Sequence, residues 1–183
     1  MIYGFSHITY SASDINSKIE DLKRKNYYIH FFQKKIFNHK NKKKILTNYS
    51  KLHDIVFLKS KDDDLSIELI NYKDHSISNI ENLKINKDNT VCINTKNLEL
   101  DLIFLEEVLT FKKINKNLLE LVRPMKSSMV RVRLIKRKNY KIMNLDDIGY
   151  VCVSFICKNI KEKFKILENY GCFDITKPFN LTI

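Results

Sequence analysis

Two arginines alternate with apolar residues in a short stretch late in the chain. Arg131 and Arg133 are interleaved with Val130, Val132 and Leu134. A strand over this stretch has one cationic face and one apolar face. Because a guanidinium binds a carboxylate or a phosphate through two parallel hydrogen bonds, Arg131 and Arg133 are predicted substrate-binding residues if that face lines a binding cup. The alternative is an edge strand whose charges face solvent and prevent aggregation.

Motifs for several other chemistries do not occur. The sequence has no Ser/His/Asp order, no glycine-rich phosphate loop and no HExxH helix. The net charge of +12 is compatible with nucleic-acid binding, but no zinc-finger, RNP-like or helix-turn-helix pattern accompanies it. Lys, Asn and Ile recur throughout, as AT-rich genomes encode them, so the charge is interpreted as compositional and no nucleic-acid partner is expected.

Length and hydropathy predict a folded, cytoplasmic protein. The chain has 183 residues, of which 44% are hydrophobic, enough for one or two small domains with their own cores. No run approaches the roughly 20 apolar residues needed to cross a bilayer, and the N-terminus does not resemble a signal peptide. No membrane partner is expected.

The first residues alternate between apolar and polar side chains, which predicts a strand over residues 5–12 with one buried face. Ile8 and Tyr10 fall on the buried face and His7 on the other. A helix follows, with Asp14 as its N-cap and an apolar stripe of Ile15, Ile19 and Leu22. Further strands are predicted at 28–32, 54–59 and 65–71, with an exposed lysine-rich loop at 38–44.

This β-α-β-β-β pattern returns twice. Aligning Ile15 with Leu98 preserves the apolar positions. Aligning Ile15 with Ile160 shows the beginning of a third copy of the pattern. Residues 1–75 and 88–142 are the predicted β-α-β-β-β modules, and residues 146–183 are a partial third module. A unit that cannot bury its own sheet face pairs with a copy of itself. The predicted fold is α+β, with paired modules curling into a cup-shaped mixed sheet, and the sequence leaves open which modules pair.

Three motifs occur in the same order within this repeat: Ser6 to Ile15, Leu65 to Ile70, and Asn94 to Glu99 followed by Phe104 to Phe111. Together they resemble the vicinal oxygen chelate superfamily, the group of glyoxalases, bleomycin-resistance proteins and extradiol dioxygenases. In such proteins the first-strand His and last-strand Glu of each module commonly bind a divalent metal, which stabilises an enolate-like intermediate. The resemblance implies that His7 and Glu68 are metal ligands, that Glu68 is also catalytic, and that the ion is Zn, Ni, Mn or Fe.

The later modules depart from that pattern. Thr90 and Cys152 stand where the first module has His7. The second-module counterpart of Glu68 is Arg133 if positions are counted from the start of each module. It is Glu120 if the residues around Glu68 are matched to the most similar short segment. Spacing is preferred, because the chain from Thr90 to Glu120 is too short for a helix and three strands.

The ligand set is therefore incomplete. Zinc or iron takes three or four protein ligands, and His7 with Glu68 supplies two. His53 and Cys152 are candidates to complete the set. Alternatively, His7 and Glu68 are a hydrogen-bonded pair in a cup without metal, His53 caps a strand, and Cys152 is a core thiol.

The preferred hypothesis is a glyoxalase-like protein that binds a small anionic metabolite in its cup. If it is an enzyme, it is a metal-dependent isomerase, epimerase or lyase. One alternative is a metal-free small-molecule-binding protein of the resistance type. Another is a truncated, non-catalytic paralogue that acts through oligomerisation, for example as a homodimer.

Overall fold

Two five-stranded mixed sheets and three α-helices make up the described part of the chain, residues 2–62, 65–75, 83–86, 88, 90–121, 130–139 and 142–171, excluding the side chains of residues 2–4. This computed structural model confirms the predicted α+β class, with β-α-β-β-β modules and a partial third module. Among the described residues, no helix is long and apolar enough to cross a membrane.

The first module consists of β1 (Ile2–Ser11), α1 (Ile15–Lys23), β2 (Tyr27–Phe37), β3 (Leu52–Ser60) and β4 (Ile67–Asn71). Helix α1 begins as predicted, because the Asp14 carboxylate accepts a hydrogen bond from the Ser17 N–H at 3.1 Å. Its predicted apolar stripe of Ile15, Ile19 and Leu22 is buried against the sheet. Strand β1 runs parallel to β4, so the module's first and last strands are neighbours.

The second module repeats this order. It consists of β6 (Thr90–Thr95), α2 (Leu98–Ile103), a π-helical turn at Phe104–Val108, β7 (Lys112–Lys113), β8 (Leu118–Leu121) and β9 (Val130–Lys136), and the short strand β5 (Leu83–Ile85) precedes it in the connector. Asn97 caps α2 by accepting from the Leu100 N–H at 3.3 Å, as Asp14 caps α1. Strand β6 runs parallel to β9, as β1 does to β4.

The third module supplies β10 (Gly149–Cys157) and α3 (Ile160–Asn169). Strand β10 pairs antiparallel with β1 along its whole length, which extends the first sheet to the order β10-β1-β4-β3-β2. On the outer face of β10, the Phe155 ring packs between Phe5 and Phe111 at centroid distances of 5.5 Å and 5.9 Å. The sheet that curls into a cup therefore comes from modules one and three, and module two packs behind it through this shared core.

Two local features differ from the sequence prediction. The polar connector contains the short strand β5, which pairs with β6. The lysine-rich segment predicted as an exposed loop forms a 3-10 turn at Lys40–Lys44, here called the lysine turn, and Lys42 within it lines a cavity. Residues 122–129, where the sequence predicts that Pro124 separates two strands, lie outside the described residues, and so do residues 172–183, where it predicts at most one more strand.

Candidate ligand-binding cup

A cavity of about 330 Å³ occupies the concave face of the first sheet, and we call it the cup. Its floor carries polar side chains from the paired first strands of modules one and three. Its walls are mostly apolar and consist of Phe31, Ile36, Phe37, Ile55, Ile70 and Leu145. A concave apolar site with a few converging polar groups is the usual form of a small-molecule site.

The predicted pair His7 and Glu68 converges on the floor of the cup. His7 Nε2 lies 3.6 Å from Glu68 Oε2, and both side chains are largely shielded from solvent. This separation is longer than a hydrogen bond, so both atoms remain available to a ligand. Glu68 Oε1 accepts a hydrogen bond from Thr9 Oγ1 at 3.0 Å, and the His7 Nδ1 is 2.9 Å from Ser6 Oγ. Burial lowers the pKa of His7, although the Glu68 carboxylate opposes this shift.

Module three contributes Cys152 and Ser154 to the same floor. They face the cup because β10 lies beside β1, with Cys152 opposite Thr9 and Ser154 opposite His7. Burial raises the pKa of the Cys152 thiol, and the nearby Glu68 carboxylate raises it further. Cys152 is therefore a neutral thiol at physiological pH, which is a poor nucleophile.

Lys42 is the only lysine or arginine among the described residues that line the cup. Its ammonium group lies 5.4 Å from the centre of the Tyr72 ring and forms no ion pair within the described residues. Burial lowers the pKa of Lys42, and Glu68 and Cys152 oppose that shift. This role is not apparent from the sequence, because a run of lysines is ordinarily a solvated surface.

His53, named from the sequence as a further candidate, also lines the cup. It is 5% exposed and stacks on Tyr72 with ring centroids 5.8 Å apart. Burial, together with the positive charge of Lys42, lowers the pKa of His53 to about 4, so the ring is neutral at physiological pH. Its Nδ1 is buried and makes no hydrogen bond within the part of the chain that the structure describes.

A buried carboxylate holds the segment after the lysine turn in place. Asp146 is fully buried, and its two oxygens accept hydrogen bonds from the backbone N–H groups of Thr47 and Asn48, each at 2.8 Å. The N–H of Leu145 donates to the carbonyl of Ile45 at 2.9 Å. The linker to module three therefore fixes the loop that carries Lys42.

The two arginines predicted to bind substrate lie elsewhere. Arg131 and Arg133 are on β9 in the second sheet, and they do not line the cup. Their strand lies between β6 and β8, so the edge-strand alternative does not hold. Arg131 Nε is 3.5 Å from Glu120 Oε2.

The strand register supports the spacing-based alignment of Arg133 with Glu68. Arg133 lies opposite Cys92 on the module's first strand, just as Glu68 lies opposite Thr9 in the first module. The structure does not bring Arg133 together with His7, and its binding role remains a prediction.

His7 and Glu68 are the residues that would hold the metal implied by the family resemblance. Two ligands of one tetrahedral zinc ion lie about 3.4 Å apart, given bond lengths of about 2.1 Å, so the 3.6 Å between His7 and Glu68 is compatible with a shared ion. Within the described residues, however, no group of three or more His, Cys, Asp or Glu side chains could hold a metal ion. The described residues thus do not supply the three protein ligands that a zinc site takes.

Comparison with known proteins finds only distant structural similarity. No family model matches the chain, and no curated protein matches it. The chain is similar to crystal structures of glyoxalase I from Zea mays, two of them of mutants, at 15% identity and TM-scores of 0.29 to 0.31. The alignments cover 91% to 92% of this chain and 54% to 56% of those chains, so it spans about half their length. Similarity at this level carries no functional argument.

Proposed function

We propose that this glyoxalase-like protein binds a small molecule in the cup, and that the ligand has an apolar or aromatic body and one anionic group. The observation that carries the proposal is Lys42, a partly buried cation that faces a cavity and has no ion-pair partner within the described residues. A buried charge is costly unless it is paired, so a bound anion would complete this arrangement.

The remaining lining fits such a ligand. The walls are apolar, and aromatic rings lie beside the floor: the Phe57 ring packs edge-on against His7 at 5.3 Å and stacks on Phe31 at 5.7 Å. Aromatic ligands gain both apolar burial and favourable ring contacts in such surroundings. Glu68 and Lys42 have opposite charges, so they would orient the ligand with its anionic group toward Lys42.

Two fluorescent probes that differ by one sulfonate group test this proposal. Anilinonaphthalene sulfonate carries an anionic group, and phenylnaphthylamine is its uncharged analogue. In fluorescence titrations, Lys42→Gln is expected to weaken binding of the sulfonate about tenfold, which corresponds to about 1.4 kcal/mol, because its charge partner is removed. Binding of the uncharged probe should not change.

The matched control is Lys43→Gln, which removes the same charge from an exposed position on the same turn. It should leave binding of both probes at the wild-type level. If Lys42→Gln and Lys43→Gln weaken the sulfonate equally, the anion is attracted by overall charge, and Lys42 is not its anchor.

A second candidate is a metal-assisted isomerase, epimerase or lyase, and the separation between His7 and Glu68 favours it. If a divalent ion binds there, a hundredfold excess over its dissociation constant should stabilise the folded protein by about 2.7 kcal/mol. Thermal melts with Zn, Ni, Mn and Fe should then show a shift that His7→Ala abolishes and the exposed control His30→Ala retains. The absence of a shift with all four ions in the wild-type protein would exclude this candidate.

A further inference from the structure

A second cavity, of about 310 Å³, lies beside the first and has a different lining. Four lysines border it together with one carboxylate, that of Asp54, and two other residues, Ser50 and Leu52. The lysines are Lys34, Lys35, Lys51 and Lys73. We call this cavity the lysine pocket.

The same two strands separate the lysine pocket from the cup. On β2, Gln33 lines the cup and Lys34 lines the lysine pocket. On β3, His53 lines the cup and Asp54 lines the lysine pocket. Because neighbouring residues on a strand point to opposite faces, the two cavities are distinct sites.

Backbone irregularities hold the lysines around Asp54. A register shift between Gln33 and Ile36 places Lys35 in the left-handed region at φ 56, and its N–H donates to Asp54 Oδ1 at 2.8 Å. Lys73 also has a positive φ of 72, and its ammonium group pairs with Asp54 Oδ2. Left-handed backbone is unfavourable for residues other than glycine, so this arrangement is specified by the surrounding contacts.

The lysine pocket carries excess positive charge. Among the described residues that line it, Asp54 is the only acidic one, and Lys73 already pairs with it. Burial raises the pKa of Asp54, but the hydrogen bonds from Lys73 and Lys35, together with the positive charges of Lys73 and Lys34, lower it by more, so the net shift is downward. Lys34, Lys35 and Lys51 form no ion pair with any described residue. Cations that border one cavity repel one another, and an anion with several charges would offset that repulsion.

We propose that the lysine pocket binds the di- or triphosphate group of a small soluble molecule. Lysine is a common phosphate ligand because its compact ammonium group acts as a point charge. Three lysines that form no ion pair with any described residue favour an anion with more than one charge, which a single carboxylate does not provide.

Isothermal titration calorimetry of the full chain with sodium pyrophosphate tests this proposal. At about 10 mM ionic strength, where the screening length is about 30 Å, the wild-type protein should show saturable binding that is tighter than its binding of orthophosphate. The double variant Lys34→Gln/Lys51→Gln should bind pyrophosphate at least about tenfold more weakly, because it removes two of the three unpaired cations. Both lysines are exposed, so the variant should melt like the wild-type protein.

The control is Lys158→Gln/Lys161→Gln, which makes the same change in net charge at exposed positions outside both cavities. It should leave pyrophosphate binding at the wild-type level. No saturable binding by the wild-type protein, or equal weakening in both double variants, would overturn the proposal, since the attraction would then be absent or diffuse. Binding of anilinonaphthalene sulfonate to Lys34→Gln/Lys51→Gln should remain at the wild-type level. The proposals for the lysine pocket and for the cup are therefore tested independently.

Discussion

At the scale of single residues, the cup is defined by charged and titratable groups held out of water. His53 is the clearest case, because burial and Lys42 together move its pKa from an ordinary value of 6.5 to about 4. The folded protein therefore holds His53 in its neutral form, while the unfolded chain protonates it as the pH falls below about 6.5.

This difference predicts a pH-dependent loss of stability. Between pH 6.5 and 4 the unfolded state binds more protons at His53 than the folded state, so the free energy of unfolding falls as the pH falls. The loss from this residue approaches about 3 kcal/mol near pH 4, at about 1.36 kcal/mol per unit of pKa. Urea denaturation at pH 7 and pH 4.5 should show a smaller loss in His53→Phe, whose ring can still stack on Tyr72. An equal loss in the wild-type protein and in His53→Phe would contradict the assignment of this pH dependence to His53.

Some of the residues that line the cup were predicted from the sequence, and others were not. His7 and Glu68 were predicted as a pair from the family resemblance, and the structure brings them together. Lys42 was missed, since the neighbouring lysines Lys43 and Lys44 are exposed and nothing in the local sequence distinguishes it. Its position depends on Asp146, a residue far along the chain, so local pattern could not have revealed it.

At the scale of elements, the loop after the lysine turn depends on a contact between distant segments. Asp146 accepts two backbone hydrogen bonds while fully buried, and such bonds to a charged acceptor are worth about 1.5–3 kcal/mol each. Both bonds go to backbone N–H groups, so the role of Asp146 is structural.

Asp146→Asn should therefore destabilise the fold. An amide offers one acceptor oxygen where the carboxylate offers two, so the N–H of Thr47 or Asn48 loses its partner. We expect the free energy of unfolding in urea to fall by about 2 kcal/mol. Asp74→Asn, at an exposed carboxylate, should change it by less than about 0.5 kcal/mol. If the two variants are equally stable, the hydrogen bonds from Thr47 and Asn48 to Asp146 do not hold the loop.

Elements with regular periodicity were predictable, and those that depend on pairing were not. The stripe of Ile15, Ile19 and Leu22 and the cap at Asp14 predicted α1 correctly. Strand β5 was missed because three residues in a polar connector give too short a pattern to recognise. It forms because β6 offers an edge on which it can pair.

At the scale of the whole molecule, the repeat indicated three modules but not their arrangement. The order of the chain would suggest that modules one and two share a cup. Instead β1 pairs with β10, because the outer face of β10 carries Phe155 into the core between Phe5 and Phe111. The inner face of β10 then places Cys152 and Ser154 in the cup. Such long-range pairing follows from packing complementarity between modules, which a single sequence does not display.

If the cup between modules one and three is the ligand site, a bulky side chain on β10 that points into the cavity should block ligand binding. Cys152→Phe introduces a ring into the cavity, and it should weaken binding of both anilinonaphthalene sulfonate and phenylnaphthylamine at least about tenfold, or about 1.4 kcal/mol. Ile156→Phe introduces the same ring on the same strand at a position that is 53% exposed and outside the cavity lining. Circular dichroism melts establish that both variants are folded.

We expect Cys152→Phe to lose probe binding and Ile156→Phe to bind both probes like the wild-type protein. Wild-type affinity for both probes in a folded Cys152→Phe variant would contradict this expectation, because the probes would then bind outside the cup.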